Sequence, residues 1–138
     1  MNSSREDYII TIYRLTKDQE FVNSVTIAKA LDVSRASVSE MIKKLSQEDF
    51  ISFIDNKIKL TKKGRDKAKK IVSRHRLWEY FLVEHLKMSW EEAHKEADLL
   101  EHVTSKSLKI ALNKYLNYPD SCPQGHKIWN NINDQNLE

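Results

Sequence analysis

The chain has 138 residues, enough for one ordinary domain or for two small domains that share an interface. Hydrophobic residues make up 40% and charged residues 31%, a balance that excludes a disordered chain, and the two Gly and two Pro argue against an all-β fold. No apolar run approaches the roughly 18–20 residues of a membrane span, and the first residues lack a secretory signal, so we expect a cytoplasmic protein with no membrane association. The single cysteine, Cys122, fits that reducing compartment because it cannot form an internal disulfide.

Charge is divided unevenly along the chain. Residues 1–76 hold 17 Lys and Arg against 10 Asp and Glu, a net of +7, whereas residues 77–138 hold 6 against 10, a net of −4. Within 57–76 there are ten basic residues and a single acid, Asp66. The first half therefore attracts polyanions and the second attracts cations, although a basic run by itself equally describes a solvated helix face.

The first part of the chain predicts three helices and a hairpin. The helical spacing of apolar residues places the helices at about 4–17, 24–31 and 34–48. Serines suitable as N-caps precede the first and third of them, and a polar break at 18–23 ends the first. Two apolar alternations, at 51–54 and 57–61, are joined by Asp55-Asn56 and predict a two-residue β-hairpin.

The rest of the chain predicts three more helices, at about 62–88, 89–103 and 105–116. Ser89 and Glu92 have the spacing of a capping box at the start of the second of these. From Asn117 the chain is rich in Pro and Asn, and we expect its last ten residues to be mobile. The predicted fold is therefore mainly α.

The order helix, short turn, helix, hairpin is that of a winged helix-turn-helix, which binds double-stranded DNA. Ala28 is small where two helices must approach closely, and Val33 is placed to fill the turn between them. The outward residues of the second helix fall at its N-terminal turns, which enter the major groove in this motif and favour phosphate. We expect the DNA contacts to come from Ser34, Arg35, Ala36, Ser37, Ser39, Glu40, Lys43 and the wing residue Lys57. The alternative is that two short amphipathic helices simply pack in a helical domain.

One edge of the predicted helix 89–103 carries four side chains of metal-binding type: His94, Asp98, Glu101 and His102. At about 100° per residue they fall within an arc of about 100° beside an apolar stripe. Two imidazoles and two carboxylates on one edge suit a divalent first-row metal. The preceding helix adds His75 and Glu79, which share a face at i and i+4. Such pairs also occur as solvated helix faces, so spacing alone leaves both interpretations open.

Several segments together resemble the metal-dependent repressors typified by the diphtheria toxin repressor and the bacterial manganese transport regulator. They are EDYIITIY (6–13), the helix-turn-helix, RHRLWEYFL (74–82) and EAHKEADLLEH (92–102). The resemblance runs over about 4–128 and implies a DNA-binding domain at 1–62 and an all-helical metal-binding and dimerisation domain at 63–138. It implies a homodimer that binds palindromic operators when Mn²⁺ or Fe²⁺ is present and represses metal-uptake genes. We expect the short two-domain type, without the SH3-like third domain of longer members.

Carried over by position, the resemblance implies a primary metal site of Asp7, Asp98, Glu101 and His102. His75 is then a ligand either there or in a neighbouring site with Glu79 and His94. Asp7 also lies three residues after Ser4, which is the spacing of a capping-box acid, so cap and ligand remain alternatives for it. With Asp7 as a ligand, metal ties the first helix to the second domain and narrows the range of domain orientations before DNA binds.

Departures from the family pattern bear on the metal. Iron-type members have Cys at the position of Asp98 and Met at that of Asp7, so this chain offers harder ligands that favour Mn²⁺, with Fe²⁺ as the alternative. Ile10 stands where two-metal manganese regulators carry Glu, which removes one ligand of their second metal. The segment CPQGH (122–126) resembles a CPHG segment whose Cys and His join that second site. Cys122 is therefore a candidate ligand, with His126 as a substitute for the missing histidine, and an ordinary buried thiol is the alternative.

Two other classes of function remain open to the sequence. A metal-independent winged-helix transcriptional regulator would bind DNA equally well with and without metal. A metallohydrolase would need an open coordination position and a general base in a pocket. Nothing resembling an HExxH motif occurs in the chain, so we expect it not to be an enzyme.

Overall fold

The computed structural model describes residues 4–132 and confirms the mainly α fold. Its α-helices and strands, in chain order, are α1 (Arg5–Leu15), α2 (Ser24–Leu31), α3 (Arg35–Gln47), β1 (Ile51–Ile54), β2 (Lys57–Leu60), α4 (Lys62–Glu84), α5 (Trp90–Leu100) and α6 (Lys106–Tyr115), followed by a 3-10 turn at Trp129–Asn131. Most of the last ten residues, which we expected to be mobile, lie outside the described part. By its contacts the chain divides into two compact units, Met1–Ala68 and Lys69–Glu138.

The first unit is built around an apolar core. It comprises α1 to α3, the two strands and the start of α4, and its core gathers Ile9, Ile12, Ile27, Val38, Ile42, Leu45, Ile58 and neighbouring apolar residues. Each fully buried aliphatic side chain contributes roughly 1.5–3 kcal/mol relative to an exposed one. The turn between α2 and α3 reverses at Asp32, which has a left-handed backbone with φ of 53°. The predicted helix–turn–helix order is therefore present, with α3 as its second helix.

The hairpin that follows α3, which we call the wing, pairs as the sequence predicts. β1 and β2 are antiparallel, with Ile51 opposite Leu60 and Ile54 opposite Lys57. Asp55 and Asn56 both have positive φ, as a two-residue turn of type I′ requires. Within the supposed polar break, Val22 forms an additional bridge to Ile58 on β2. The segment at 18–23 therefore contains one residue that pairs with the edge of the hairpin, and it is not entirely a loop.

Serine and asparagine side chains begin five of the helices. Ser4, Asn23, Ser34, Ser89 and Ser105 each accept a hydrogen bond from a backbone N–H in the first turn. Such caps satisfy amides that have no partner within the helix and are typically worth about 1 kcal/mol each. The predicted capping box at Ser89 is only half formed, because the Glu92 carboxylate accepts from the Ser89 hydroxyl, 3.1 Å away.

Two predicted helix ends were wrong. The helix expected to reach Met88 ends at Glu84, where the His85 and Leu86 amides donate to the Phe81 carbonyl and Lys87 takes a φ of 60°. This is a left-handed helix stop without the usual glycine, so nothing in the composition marks it. The helix expected to reach Val103 ends at Leu100, whose carbonyl accepts from the Thr104 hydroxyl.

The second unit combines a small apolar core with buried polar groups. Leu77, Leu112, Leu116 and Ile128 form that core. The buried polar and charged residues are Ser73, His75, Arg76, Glu79 and Glu101. Arg76 donates to the carbonyl of Lys127 at 2.6 Å and thereby ties α4 to the loop after α6. Across the described residues, none of the helices has both the length and the apolar character to cross a membrane.

Candidate metal centre and DNA-binding surface

Two groups of side chains in the second unit have the donor types and spacing of a metal site. One contains His75, Glu79 and His94, and the other contains His75, Asp98 and Glu101. In each group the candidate ligand atoms lie within 4.8 Å of one another. His75 belongs to both groups because each of its ring nitrogens faces one of them.

The first group is compact and largely buried. His75 Nε2 lies 3.0 Å from the Glu79 carboxylate and 3.2 Å from His94 Nδ1. His94 Nδ1 lies 2.7 Å from the same Glu79 oxygen, Oε2. His75 and Glu79 are one turn apart on α4, and His94 comes from α5. Three donor atoms, each about 3 Å from the other two, thus converge from two helices.

The second group lies on the other side of the His75 ring. His75 Nδ1 is 2.6 Å from Glu101 Oε1 and 3.3 Å from Asp98 Oδ1. The Glu101 side chain is 3% exposed, whereas that of Asp98 is 49% exposed. His102 reaches the same carboxylate from its far side, with Nε2 at 3.5 Å from Glu101 Oε2. Glu101 is therefore the buried centre of this group and Asp98 is its solvent-facing member.

The buried acids control the protonation of His75. Burial by itself lowers the pKa of this imidazole, but hydrogen bonds and charge interactions with Glu101 and Glu79 outweigh it and raise the pKa to about 9. For Glu79 the balance is the reverse. Burial raises the pKa of this carboxyl, but its hydrogen bonds to His75 and His94 prevail and leave the pKa below its usual value. In the apo protein the protonated His75 ring thus provides the positive charge beside the two carboxylates that a bound divalent cation would otherwise provide.

Neighbouring side chains that the sequence did not single out hold this arrangement in place. Arg74 Nε donates to the backbone carbonyl of Glu101 at 2.9 Å and so joins α4 to the end of α5. Trp90 stacks on the His94 ring, with the ring centres 5.0 Å apart and an interplanar angle of 24°. Trp90 lies four residues before His94, so an aromatic residue at helical spacing from a candidate ligand was the signal that could have identified it.

The donor set fits a divalent metal ion. Ligand atoms about 2.1 Å from an ion and at right angles to one another are about 3.0 Å apart, the separation that octahedral coordination requires. The three separations in the first group are 2.7, 3.0 and 3.2 Å. Imidazole and carboxylate together suit first-row ions such as Mn²⁺ and Fe²⁺. With Nε2 facing that group, the His75 Nδ1–H donates to Glu101, a carboxylate–histidine pairing that typically orients metal ligands.

The remaining candidate ligands belong to neither of the two groups. Asp7 is on α1 in the first unit, where it completes a capping box: its carboxylate accepts from Ser4 N–H at 2.9 Å, and Ser4 Oγ accepts from Asp7 N–H at 3.1 Å. Cys122 is a free, buried thiol in the loop after α6, and its N–H donates to the His126 carbonyl at 2.8 Å. Within residues 4–132, neither metal-type group includes Cys122 or His126.

All the predicted DNA contacts are exposed. They lie on the N-cap and outward face of α3 and on β2: Ser34, Arg35, Ala36, Ser37, Ser39, Glu40, Lys43 and Lys57. Ser34 is also the N-cap of α3, since its Oγ accepts from Ser37 N–H at 3.0 Å and donates to Ser37 Oγ at 2.9 Å. Glu40 lies 3.9 Å from Lys44 one turn later. The amides and short side chains at the start of α3 therefore form a surface that a duplex can approach closely.

Comparison with known proteins assigns both parts of the chain to one family. Residues 1–57 match the family model described as "Iron dependent repressor, N-terminal DNA binding domain". Residues 61–130 match the model described as "Iron dependent repressor, metal binding and dimerisation domain".

Individual relatives agree with this assignment. The iron-dependent repressor IdeR of Mycobacterium tuberculosis is 36% identical over 124 residues, which cover 89% of this chain and 54% of the relative. The regulator MntR of Oceanobacillus iheyensis is 32% identical over 116 residues, covering 83% of this chain and 78% of that protein. The solved structure of the manganese regulator SloR matches with a TM-score of 0.78 and 41% identity, covering 93% of this chain and 60% of that one. The chain thus spans about half the length of the curated IdeR that it matches.

Proposed function

This chain belongs to the DtxR/MntR family of iron-dependent repressors, and from that premise we propose that it is a metal-dependent transcriptional repressor of metal-uptake genes. We propose that residues 1–62 bind operator DNA in the cytoplasm and that residues 63–138 bind metal and form the homodimer. Palindromic operators follow from the two-fold symmetry of such a dimer.

One observation carries the proposal: three metal-type donor atoms of His75, Glu79 and His94 lie 2.7–3.2 Å from one another. Two buried carboxylates flank the His75 ring, and both are placed to compensate a cation. We propose these three residues as ligands, with Asp98, Glu101 and His102 as ligands or as groups that orient them. A bound ion would supply positive charge that stabilises these acids in their ionised form.

We propose Mn²⁺ as the ion, with Fe²⁺ as the alternative. The candidate donors are imidazole nitrogens and carboxylate oxygens, a set that suits both ions and lacks the thiolates typical of Zn²⁺ sites. Relatives named for iron and relatives named for manganese both match this chain. The harder ligand Asp98, where iron-type members carry Cys, tips the proposal towards Mn²⁺.

The test is a titration of the apo protein with Mn²⁺, Fe²⁺ under anaerobic conditions and Zn²⁺, with the anisotropy of labelled DNA as the readout. The duplex comes from the region upstream of the protein's own coding sequence. We expect Mn²⁺ or Fe²⁺ to tighten binding at least tenfold, a coupling of about 1.4 kcal/mol, and a chelator to reverse it. Tight binding that ignores both metal and chelator would establish a metal-independent winged-helix regulator instead.

A pair of histidine variants makes this test specific to the site. His94→Ala removes one of the three converging donors and should abolish the stimulation by metal. His85→Ala removes an exposed histidine of the same unit that lies outside both groups and is not a candidate ligand, so it should leave the stimulation intact. Equal behaviour of the two variants would contradict the assignment of His94.

Asp7 needs a separate test because it has a demonstrated structural contact. We propose it as a metal ligand on the strength of the family resemblance, while its hydrogen bonds with Ser4 make it a capping residue. Ser4→Ala removes the hydroxyl that accepts from the N–H of residue 7 and leaves the carboxylate, whereas Asp7→Ala removes the carboxylate and leaves that hydroxyl bond. If Asp7 is a ligand, only Asp7→Ala lowers metal-stimulated DNA binding. Equal losses of about 1 kcal/mol in stability, with full stimulation in both variants, would reduce Asp7 to a cap.

A further inference from the structure

Two lysines of the wing share a single aromatic ring. Lys57 and Lys59 alternate along β2, so both side chains leave the same face of the strand. The ammonium group of each lies 5.3 Å from the centre of the Phe21 ring. This distance is within the range of a cation–π interaction.

The backbone holds Phe21 at this place. Its neighbour Val22 exchanges two hydrogen bonds with Ile58, one of 2.9 Å from the Val22 amide and one of 2.8 Å to the Val22 carbonyl. Val22 and Ile58 are both buried and point into the core of the first unit. Because side chains alternate along an extended chain, Phe21 then lies on the opposite face, with Lys57 and Lys59.

Several basic residues of the following segment contact acids or backbone carbonyls, although Lys63 also lies 4.6 Å from the centre of the Phe50 ring. Four of them contact an acid or a backbone carbonyl: Lys62 with Asp66 (3.3 Å), Lys67 with Glu6 (3.7 Å), Lys63 with the Glu48 carbonyl (2.8 Å) and Arg65 with the Leu60 carbonyl (3.1 Å). A neighbouring acid offsets the charge of a lysine, and a carbonyl occupies one of its N–H donors. A ring face attracts an ammonium group but carries no net charge. The Phe21 ring therefore offsets none of the positive charge that Lys57 and Lys59 offer to an outside anion.

We propose that Phe21 is a positioning residue of the wing, whose ring holds the ammonium groups of Lys57 and Lys59 for contact with the phosphates of a DNA duplex. The inference rests on the proposed DNA-binding function and adds to it one phosphate contact, Lys59, and one positioning residue, Phe21. A free lysine side chain loses rotamer freedom when it engages a phosphate, and prior placement on a ring reduces that loss. A phosphate near both ammonium groups also relieves their mutual repulsion.

The experiment measures DNA affinity by anisotropy at several salt concentrations, in saturating Mn²⁺, for the wild type and for variants of Phe21. Phe21→Leu removes the ring and keeps both charges. We expect it to weaken binding about three- to tenfold, or about 0.7–1.4 kcal/mol, with the salt dependence unchanged. The loss should be equal on the operator and on an unrelated duplex, because phosphate contacts carry no sequence information. Phe21→Tyr keeps a ring and should retain the wild-type affinity.

The lysine variants report the charge itself. Lys57→Ala and Lys59→Ala should each reduce the slope of log affinity against log salt by about one. Lys62→Ala is the matched control, since Lys62 is exposed and paired with Asp66, and it should leave the slope unchanged. Phe21→Met, which also lacks the ring, repeats the comparison if the Leu variant proves unstable.

The decisive variant combines Phe21→Leu with Lys57→Ala and Lys59→Ala. If Phe21 acts through the lysines, its loss should have no further effect once they are gone. An equal loss in both backgrounds, or wild-type affinity in Phe21→Leu, would overturn the proposal. A wild-type protein that binds no duplex even with metal would instead overturn the proposed function, so the two failures are distinguishable.

Discussion

The two units of the molecule bury different kinds of side chain. Among residues 4–132, the buried polar and charged side chains all belong to the second unit, whereas the core of the first unit is apolar. The candidate DNA contacts of the first unit lie on its surface, so most of them can be substituted without disturbing its core. The second unit places its candidate ligands inside, so its stability and its chemistry depend on the same groups. The protonation state of these buried groups should therefore affect the stability of the second unit far more than that of the first.

The largest effect is expected at Glu79. Its carboxylate is the shared partner of His75 and His94, and Glu79→Ala would leave a buried imidazole without it. Breaking a buried ion pair typically costs about 3–5 kcal/mol, so we expect a loss of that size in the apo protein. Urea unfolding followed by tryptophan fluorescence measures the stability of the second unit, because all three tryptophans (78, 90 and 129) lie there.

Glu84→Ala is the control for that experiment. Glu84 is exposed at the end of the same helix, and its loss should change stability by less than about 0.5 kcal/mol. A Glu79→Ala variant as stable as the control would show that the Glu79 carboxylate does not stabilise the apo protein.

Ile42→Ala tests the first unit in the same way. Ile42 is 2% exposed in the middle of α3, and truncating such a side chain costs about 2–5 kcal/mol through lost burial and a residual cavity. We expect this loss in the free energy of unfolding measured by far-ultraviolet circular dichroism, with metal affinity unchanged. A large change in Mn²⁺ affinity while the variant remains folded would show that the metal site depends on the core of the first unit.

The pH dependence of stability should follow His75. Its pKa is raised from 6.5 to about 9, so the protonated ring stabilises the folded apo protein fully below pH 6.5. That stabilisation, roughly 3 kcal/mol at most, is lost as the pH rises through 9. We expect the tryptophan-monitored stability to fall between pH 6.5 and 9 and His75→Gln to flatten the curve. A flat wild-type profile would contradict the role of the two acids.

The smallest effect is expected at the N-cap of α3. Ser34→Ala removes the hydroxyl that accepts from Ser37 N–H and should cost about 1 kcal/mol of stability. It should also weaken DNA binding, since the same turn carries the proposed contacts. Ser105→Ala removes the equivalent cap of α6 and should have the same cost without an effect on DNA. Identical DNA affinities for the two variants would show that the start of α3 does not contact DNA.

Most of the fold could be predicted from the sequence because its signals are local. The spacing of apolar residues predicts both ends of α2 correctly, and Asp55-Asn56 marks the turn of the wing. The two misplaced helix ends lie beside a left-handed Lys87 and a side-chain bond from Thr104, and neither residue type is a strong stop signal in the sequence. The bridge at Val22 was missed because a single apolar pair among polar residues has no periodicity.

The candidate metal centre was predictable in composition but not in arrangement. Helical spacing identifies the faces that carry His75, Glu79 and His94, but only the packing of α4 against α5 decides which atoms meet. Spacing also treats Asp98 and Glu101 alike, whereas one is half exposed and the other is buried. Arg74 and Trp90 support the site from outside the ligand pattern, so no metal motif includes them.

The two ring nitrogens of His75 limit how many metal ions each subunit can bind through this residue. A neutral imidazole has one lone pair to donate and one N–H. If Nε2 binds an ion beside Glu79 and His94, the proton must reside on Nδ1 and point to Glu101, and the reverse holds for an ion on the Glu101 side. At neutral pH one ring therefore serves one ion at a time, and filling either group fixes the tautomer presented to the other. Two ions per subunit would require the second to find its ligands without His75.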